Sequence, residues 1–137
     1  MRTINASSPV TQVPPADSAR ALQHFEGLLA VETDCWDVQA SLAAHADDFV
    51  LLDVRSPEDY RHGHVAGAVN LPHGRITASN LAAYPNHITF VVYCAGPHCN
   101  GADHAAIRLA RLGRLVKKMI GGVTGWKEEG FALTETE

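Results

Sequence analysis

The 137-residue sequence predicts an α/β fold: a central parallel sheet with helices on both faces. Three observations lead there. Residues 49–54 (FVLLDV) and 89–93 (TFVVY) are short, nearly all-apolar runs, as expected of strands buried on both faces. Stretches with helical spacing of apolar residues alternate with such runs. Glycine, proline or a capping residue marks each change of period.

The elements follow in order. Residues 1–16 are rich in Ser, Thr and Pro and are expected to be a flexible lead-in. Asp17 or Ser18 can cap a helix carrying Leu22, Phe25 and Leu29 on one stripe, so residues 17–33 are expected to pack as an N-terminal helix on the domain. A second helix is expected from about Asp34 to His45, burying Trp36 and Leu42, with Cys35 in the core. The strand at 49–54 comes next. Ser56, Pro57, Glu58 and Asp59 then start a short helix ended by Gly63.

Residues 67–72 read as a strand stopped by Pro72, followed by a helix with Ile76, Leu81 and Tyr84 that ends at Pro85. The strand at 89–93 runs into a loop, Cys94 to Asn100, too rich in breakers to be regular. A helix resumes at Gly101 and stops at Gly113, with Ala102, Ala105, Ala106, Leu109 and Ala110 at helical spacing. Residues 115–120 form the last strand, before Gly121, Gly122 and a short helix anchored by Trp126. No internal repeat or second-domain boundary interrupts the pattern, and residues 34–137 are expected to be one domain.

Apolar content of 46%, charged content of 19% and a net charge of −4 are ordinary for a globular protein and argue against a nucleic-acid partner. The basic residues between Arg111 and Lys118 read as the solvated end of a helix and the next strand. No apolar run is long enough to span a membrane, and the first residues lack a secretory apolar core. Three cysteines without such a signal do not suggest a disulfide scaffold. The expected compartment is a reducing cytoplasm.

Cys94 is the residue on which chemistry is expected to rest. It ends a buried strand just before a loop and a helix, and open α/β sheets bind ligands beyond the carboxyl ends of their strands. The helix from Gly101 directs free N–H groups back toward the loop, which favours a thiolate, a persulfide or a bound oxyanion. A free cysteine has a pKa of about 8.5, and a helix N-terminus is expected to lower it. The alternative is an inert buried thiol. Gly96 and Gly101 let the loop turn its amides inward, and Asn100 with Asp103 reads as an N-cap and half a capping box.

With those residues in view, the stretch from Phe49 to Gly130 resembles a rhodanese domain. The matching pieces are Leu52-Asp53-Val54-Arg55-Ser56-Pro57-Glu58, Tyr60 with the run from Gly63 to Pro72, Val91-Val92-Tyr93-Cys94, and Ile120-Gly121-Gly122 with Trp126 and Gly130. The resemblance implies a sulfurtransferase in which Cys94 accepts sulfane sulfur as a persulfide and passes it to a thiol or cyanide acceptor. Ala95, Gly96, Pro97, His98, Cys99, Asn100 and Gly101 would form its anion-cradling loop. Asp53 and Arg55 would support that loop as an ion pair, or stabilise the domain away from the chemistry. Implied partners are a small sulfur donor (thiosulfate or a persulfide) and a thiol acceptor. No cofactor and no metal are implied.

The loop departs from the family pattern. Many active members carry Arg or Lys about five residues after the cysteine; here Cys99 stands there. Binding of a dianion is therefore expected to rest on backbone amides, helped by His98. The phosphatase branch of the fold needs an arginine where Asn100 stands, so phosphatase chemistry is not expected. Cys99 could act as a resolving thiol, forming a disulfide with Cys94. A zinc site built from Cys94, His98, Cys99 and His104 is disfavoured by its spacing. His73 is a minor candidate for contact, and His64 is expected to brace backbone. The alternative function is a non-catalytic or redox-sensing module that binds a partner, and the N-terminal helices could support a homodimer.

Overall fold

The computed structural model describes residues 7–136. Residues 1–6 of the expected lead-in lie outside the described residues. The chain divides into two units, residues 1–30 and 31–137. The first contains most of helix α1 (Ser18–Val31), where the Asp17 carboxylate accepts from Arg20 N–H at 2.8 Å as a cap.

The second unit is built on a five-stranded, all-parallel sheet in the order β1-β5-β4-β2-β3. The strands are β1 (Glu32–Thr33), β2 (Phe49–Asp53), β3 (Val69–Asn70), β4 (Thr89–Tyr93) and β5 (Leu115–Met119). Helices α2 (Cys35–Ala43), α3 (Pro57–His62), α4 (Ala78–Leu81) and α5 (Gly101–Arg111) connect them, and α6 (Gly122–Glu128) follows β5. This is the expected architecture, with β4 between β5 and β2 at the centre.

The alternation of β4 divides two cores. Phe90, Val92 and Cys94 face one side with Leu52, Val54, Leu81, Ala102, Ala105 and Leu109, mainly beneath α4 and α5. Val91 and Tyr93 face the other with Cys35, Val38, Leu51, Val65, Met119 and Trp126, beneath α2 and α6. Both faces are apolar because both are covered.

Several expectations are corrected. Trp36 is 63% exposed. The inward face of α2 is set by Cys35 and Val38, with Leu42 half-buried on the same stripe, which turns the adjacent Trp36 outward against the Phe131 ring at 5.8 Å. Strand β1 was not anticipated, since two residues directly after a helix carry no readable period. The strand expected at 67–72 shortens to β3, and the helix expected around Ile76 becomes a 3₁₀ turn, His73–Arg75, followed by the single turn α4. Trp126 is buried as expected, and its indole N–H donates to the Ala132 carbonyl at 3.0 Å.

At the end of α5 the chain turns through Gly113 at φ +77°, and Arg114 N–H returns to the Leu109 carbonyl at 2.9 Å. The start of α5 differs from expectation. Asn100 occupies the cap position but its side chain makes no capping bond, because its φ −100°, ψ 13° is not extended. Asp103 turns away to Lys118, so no capping box forms.

Candidate active site

Cys94 follows the last residue of β4 and continues that strand's α5-facing side, where it is 8% exposed. Its loop is tied down from α6. Val123 N–H donates to the Cys94 carbonyl at 3.0 Å, while Thr124 N–H and hydroxyl both donate to the Ala95 carbonyl, at 2.9 and 3.2 Å. Such an approach requires Gly122. A Cβ there would collide with the Cys94 carbonyl oxygen and lie 2.8 Å from Gly96 N, and the residue sits at φ +58°. The paired glycines thus allow α6 to begin against the loop.

Gly101 is constrained from the other side, since a Cβ would fall 2.8 Å from Cys94 Sγ and 3.5 Å from Cys99 Sγ. Both sulfurs therefore crowd the first residue of α5. The two sulfurs sit close enough to influence each other, with the amides of Ala95 and Gly101 beside both. The Gly101 N–H lies 3.4 Å from Cys99 Sγ. All three cysteines are free thiols.

The electrostatics reverse one expectation. Burial, reinforced by the Cys99 contact, pushes the Cys94 thiol up to about 11 despite the amides. Cys99 is lowered, chiefly by its contact with the Cys94 thiol, against a partial burial that raises it, with the Gly101 and Ala95 amides adding to the effect. The exposed member of the pair, not the buried one, receives the benefit expected for Cys94.

Two hollows meet at the pair. One, of about 220 Å³, lies between the loop, the start of α5 and the β5–α6 turn, and is lined by Pro97, Asp103, Lys118 and Gly121 among others. The second, of about 510 Å³, opens toward Arg55, Ser56, Asp59, His73 and Asn100. Cys94 and Cys99 line both. Lys118 was missed by the sequence reading. It lies near the carboxyl end of β5, next to the cysteine-bearing strand, and that placement is the signal that could have found it. Its ammonium is held by Asp103 at 2.9 Å and Glu32 at 3.7 Å.

His98 is exposed and lines neither hollow, contrary to its expected role. His73 does line the larger one, and its ring is 5.9 Å from that of His104. Among the described residues, no group of three or more His, Cys, Asp or Glu is placed to hold a metal. His64 is buried, and its Nδ1 lies 2.7 Å from the Tyr60 carbonyl, the bracing role expected of it.

Asp53 and Arg55 form the expected pair. Arg55 Nη2 donates to Asp53 Oδ2 at 2.7 Å and Nε to Oδ1 at 3.0 Å, while Nη2 also donates to the Gly63 carbonyl at 2.6 Å. Register makes Asp53 the β2 partner of Tyr93, whose hydroxyl donates to Oδ2 at 2.7 Å. Burial opposes the Arg55 charge, but the Asp53 bonds hold its pKa above the ordinary value. Tyr93 is raised by burial and by Asp53. Asp53 and Tyr93 occupy the sheet face opposite Cys94, so the pair braces the strand end from behind, while Arg55 also reaches the wall of the larger hollow.

These features define a parallel α/β domain organised around a cysteine at the mouth of its central strand. The chain belongs to the rhodanese-like domain family, whose sequence model matches residues 38–129. The HTH-type transcriptional regulator Rv0324 of Mycobacterium tuberculosis is 37% identical over 91 residues, covering 66% of this chain and 39% of the regulator. This chain thus spans well under half of that relative. Thiosulfate sulfurtransferase 16, chloroplastic, of Arabidopsis thaliana is 28% identical, covering 58% of this chain and 75% of its own length. The crystal structure of the BH2092 protein from Bacillus halodurans superposes with a TM-score of 0.84 at 31% identity, covering 88% of each chain.

Proposed function

We propose that this protein is a sulfurtransferase that carries sulfane sulfur as a persulfide on Cys94 and delivers it to a thiol acceptor. The observation that carries the reading is the placement of Cys94, at the junction of two hollows and within reach of the Ala95 and Gly101 amides. A persulfide anion there is stabilised by donors already oriented toward it. The name of the Arabidopsis relative is consistent with this chemistry. Lys118 is engaged by two carboxylates and Arg55 by one, so neither cation is free for a dianion. An organic persulfide, with a single charge on its sulfur, is therefore preferred over the thiosulfate dianion as donor.

The test is intact mass after incubation with an organic persulfide and with thiosulfate, followed by mapping of the modified cysteine. Wild type should gain one sulfur at Cys94, more readily from the organic persulfide, and return it to a small thiol. Failure of wild type to place sulfur on Cys94 from either donor refutes the reading.

A second reading, a sulfur- or redox-sensing module, is favoured by the adjacent Cys94 and Cys99 thiols and by the regulator name of the Mycobacterium relative. It predicts that modified protein holds its sulfur or disulfide without turnover and binds a partner protein differently.

A further inference from the structure

We infer that Cys99 is the loading residue of this site: it takes sulfur from the donor first and relays it to Cys94, which shelters it. This rests on the persulfide-carrier reading and assigns a catalytic role to a second residue of the same site. The geometry separates two tasks that one cysteine would otherwise perform. Cys94 is 8% exposed, at the floor where the hollows meet, whereas Cys99 is exposed on the loop above. The Gly101 N–H points at Cys99 Sγ at 3.4 Å, and the Cys94 sulfur crowds the same glycine. Cys99 is thus the more acidic as well as the more exposed of the two thiols. A donor arriving from solvent meets Cys99 first.

The steps balance without an external oxidant. Cys99 thiolate attacks the outer sulfur of a persulfide or polysulfide donor. The donor's S–S bond breaks, its thiolate leaves, and Cys99 carries a persulfide anion. Cys94 then attacks the outer sulfur of that persulfide, forming a new S–S bond as the Cys99 S–S bond breaks. The proton leaving Cys94 passes to the adjacent Cys99 sulfur. The products are a Cys94 persulfide anion and a Cys99 thiol, so sulfur moves inward and one proton moves outward. The Ala95 and Gly101 amides, which reach both sulfurs, follow the negative charge across.

Direct loading of Cys94 is the slower route. A less acidic thiol presents less thiolate at neutral pH, and its greater intrinsic nucleophilicity offsets only about half of that loss on a logarithmic scale. Its burial hinders approach further.

The experiment is rapid mixing with cysteine persulfide at neutral pH, quenching by alkylation, and mapping of the persulfide in wild type, Cys94→Ser and Cys99→Ser. Thermal melts check that both variants fold. In wild type the label should appear on Cys99 and then move to Cys94. In Cys94→Ser it should stay on Cys99, and Cys99→Ser should load Cys94 on the order of tenfold more slowly. Loading of Cys99→Ser at the wild-type rate, with none in Cys94→Ser, overturns the relay and leaves the carrier intact. A Cys94–Cys99 disulfide as the first product also overturns it, because attack would then be on the inner sulfur. Loss of Cys94 labelling in wild type would instead refute the carrier reading itself.

Discussion

Removing Arg55 should separate bracing from chemistry at the end of β2. Asp53 is fully buried, and Arg55 supplies two of its donors from the guanidinium and one from its backbone. In Arg55→Ala the backbone donor and the Tyr93 hydroxyl remain, but the charge is uncompensated and the Gly63 carbonyl loses its partner. Breaking one side of a buried ion pair costs about 3–5 kcal/mol. The two surviving donors to Asp53 place this case near the lower end, about 3 kcal/mol. For a domain of this length that lowers the melting temperature by about 10 °C. Urea unfolding followed by circular dichroism measures it, and a double-mutant cycle with Asp53→Asn isolates the pair. In the Asp53→Asn background Arg55→Ala should cost only about 1 kcal/mol, a coupling of about 2 kcal/mol. A loss below 1 kcal/mol in the native background, or strict additivity, would refute the argument. A fully stable Arg55→Ala that cannot accept sulfur would make Arg55 a donor-binding residue instead.

Four further outcomes are expected. Gly122→Ala should destabilise the fold by at least about 2 kcal/mol from its left-handed backbone and the collision with the Cys94 carbonyl, and should reduce sulfur loading. Gly113→Ala, at φ +77° but with nothing within 4 Å, should cost only about 1 kcal/mol, and equal losses in a melting comparison would count against the collision. Burial, with Asp34 and Glu129 nearby, raises Cys35 from 9.0 to about 11, so its stabilising contribution is complete below the lower value and lost as pH rises through the upper one. Unfolding free energy should therefore fall by about 1.4 kcal/mol per pH unit for this group across that window, with Cys94 acting in the same direction, and Cys35→Ala should flatten the slope. Arg114→Ala should cost about 2 kcal/mol, because its guanidinium donates to the Leu81, Tyr84 and Pro85 carbonyls at 2.8, 3.1 and 3.1 Å; a neutral result in urea unfolding would show that water replaces it.

The sequence by itself determined the fold class, the central strand and the cysteine at its end. Residues 89–93 are apolar at every position but the first, and this short β-branched and aromatic run suits a strand covered on both sides, while the breakers after Cys94 mark where the strand must stop. It also located Ser56, Gly63, Gly113 and Trp126 correctly, because caps, turns and anchors act through near neighbours. The orientation of Trp36 was beyond it. Which stripe of a short helix faces inward depends on partners far away in the chain, here Trp126 and Met119 packing with Cys35. The same limit hid Lys118, whose proximity to Cys94 follows from β5 lying beside β4. Above all, tertiary structure decided which sulfur is buried. A helix N-terminus behind the loop predicts a lowered cysteine in sequence, but the packing of Leu52, Ala102 and Ala105 around Cys94 removes it from water, and desolvation outweighs two amides. The acidic, exposed thiol is Cys99, and nothing local in the loop distinguishes it.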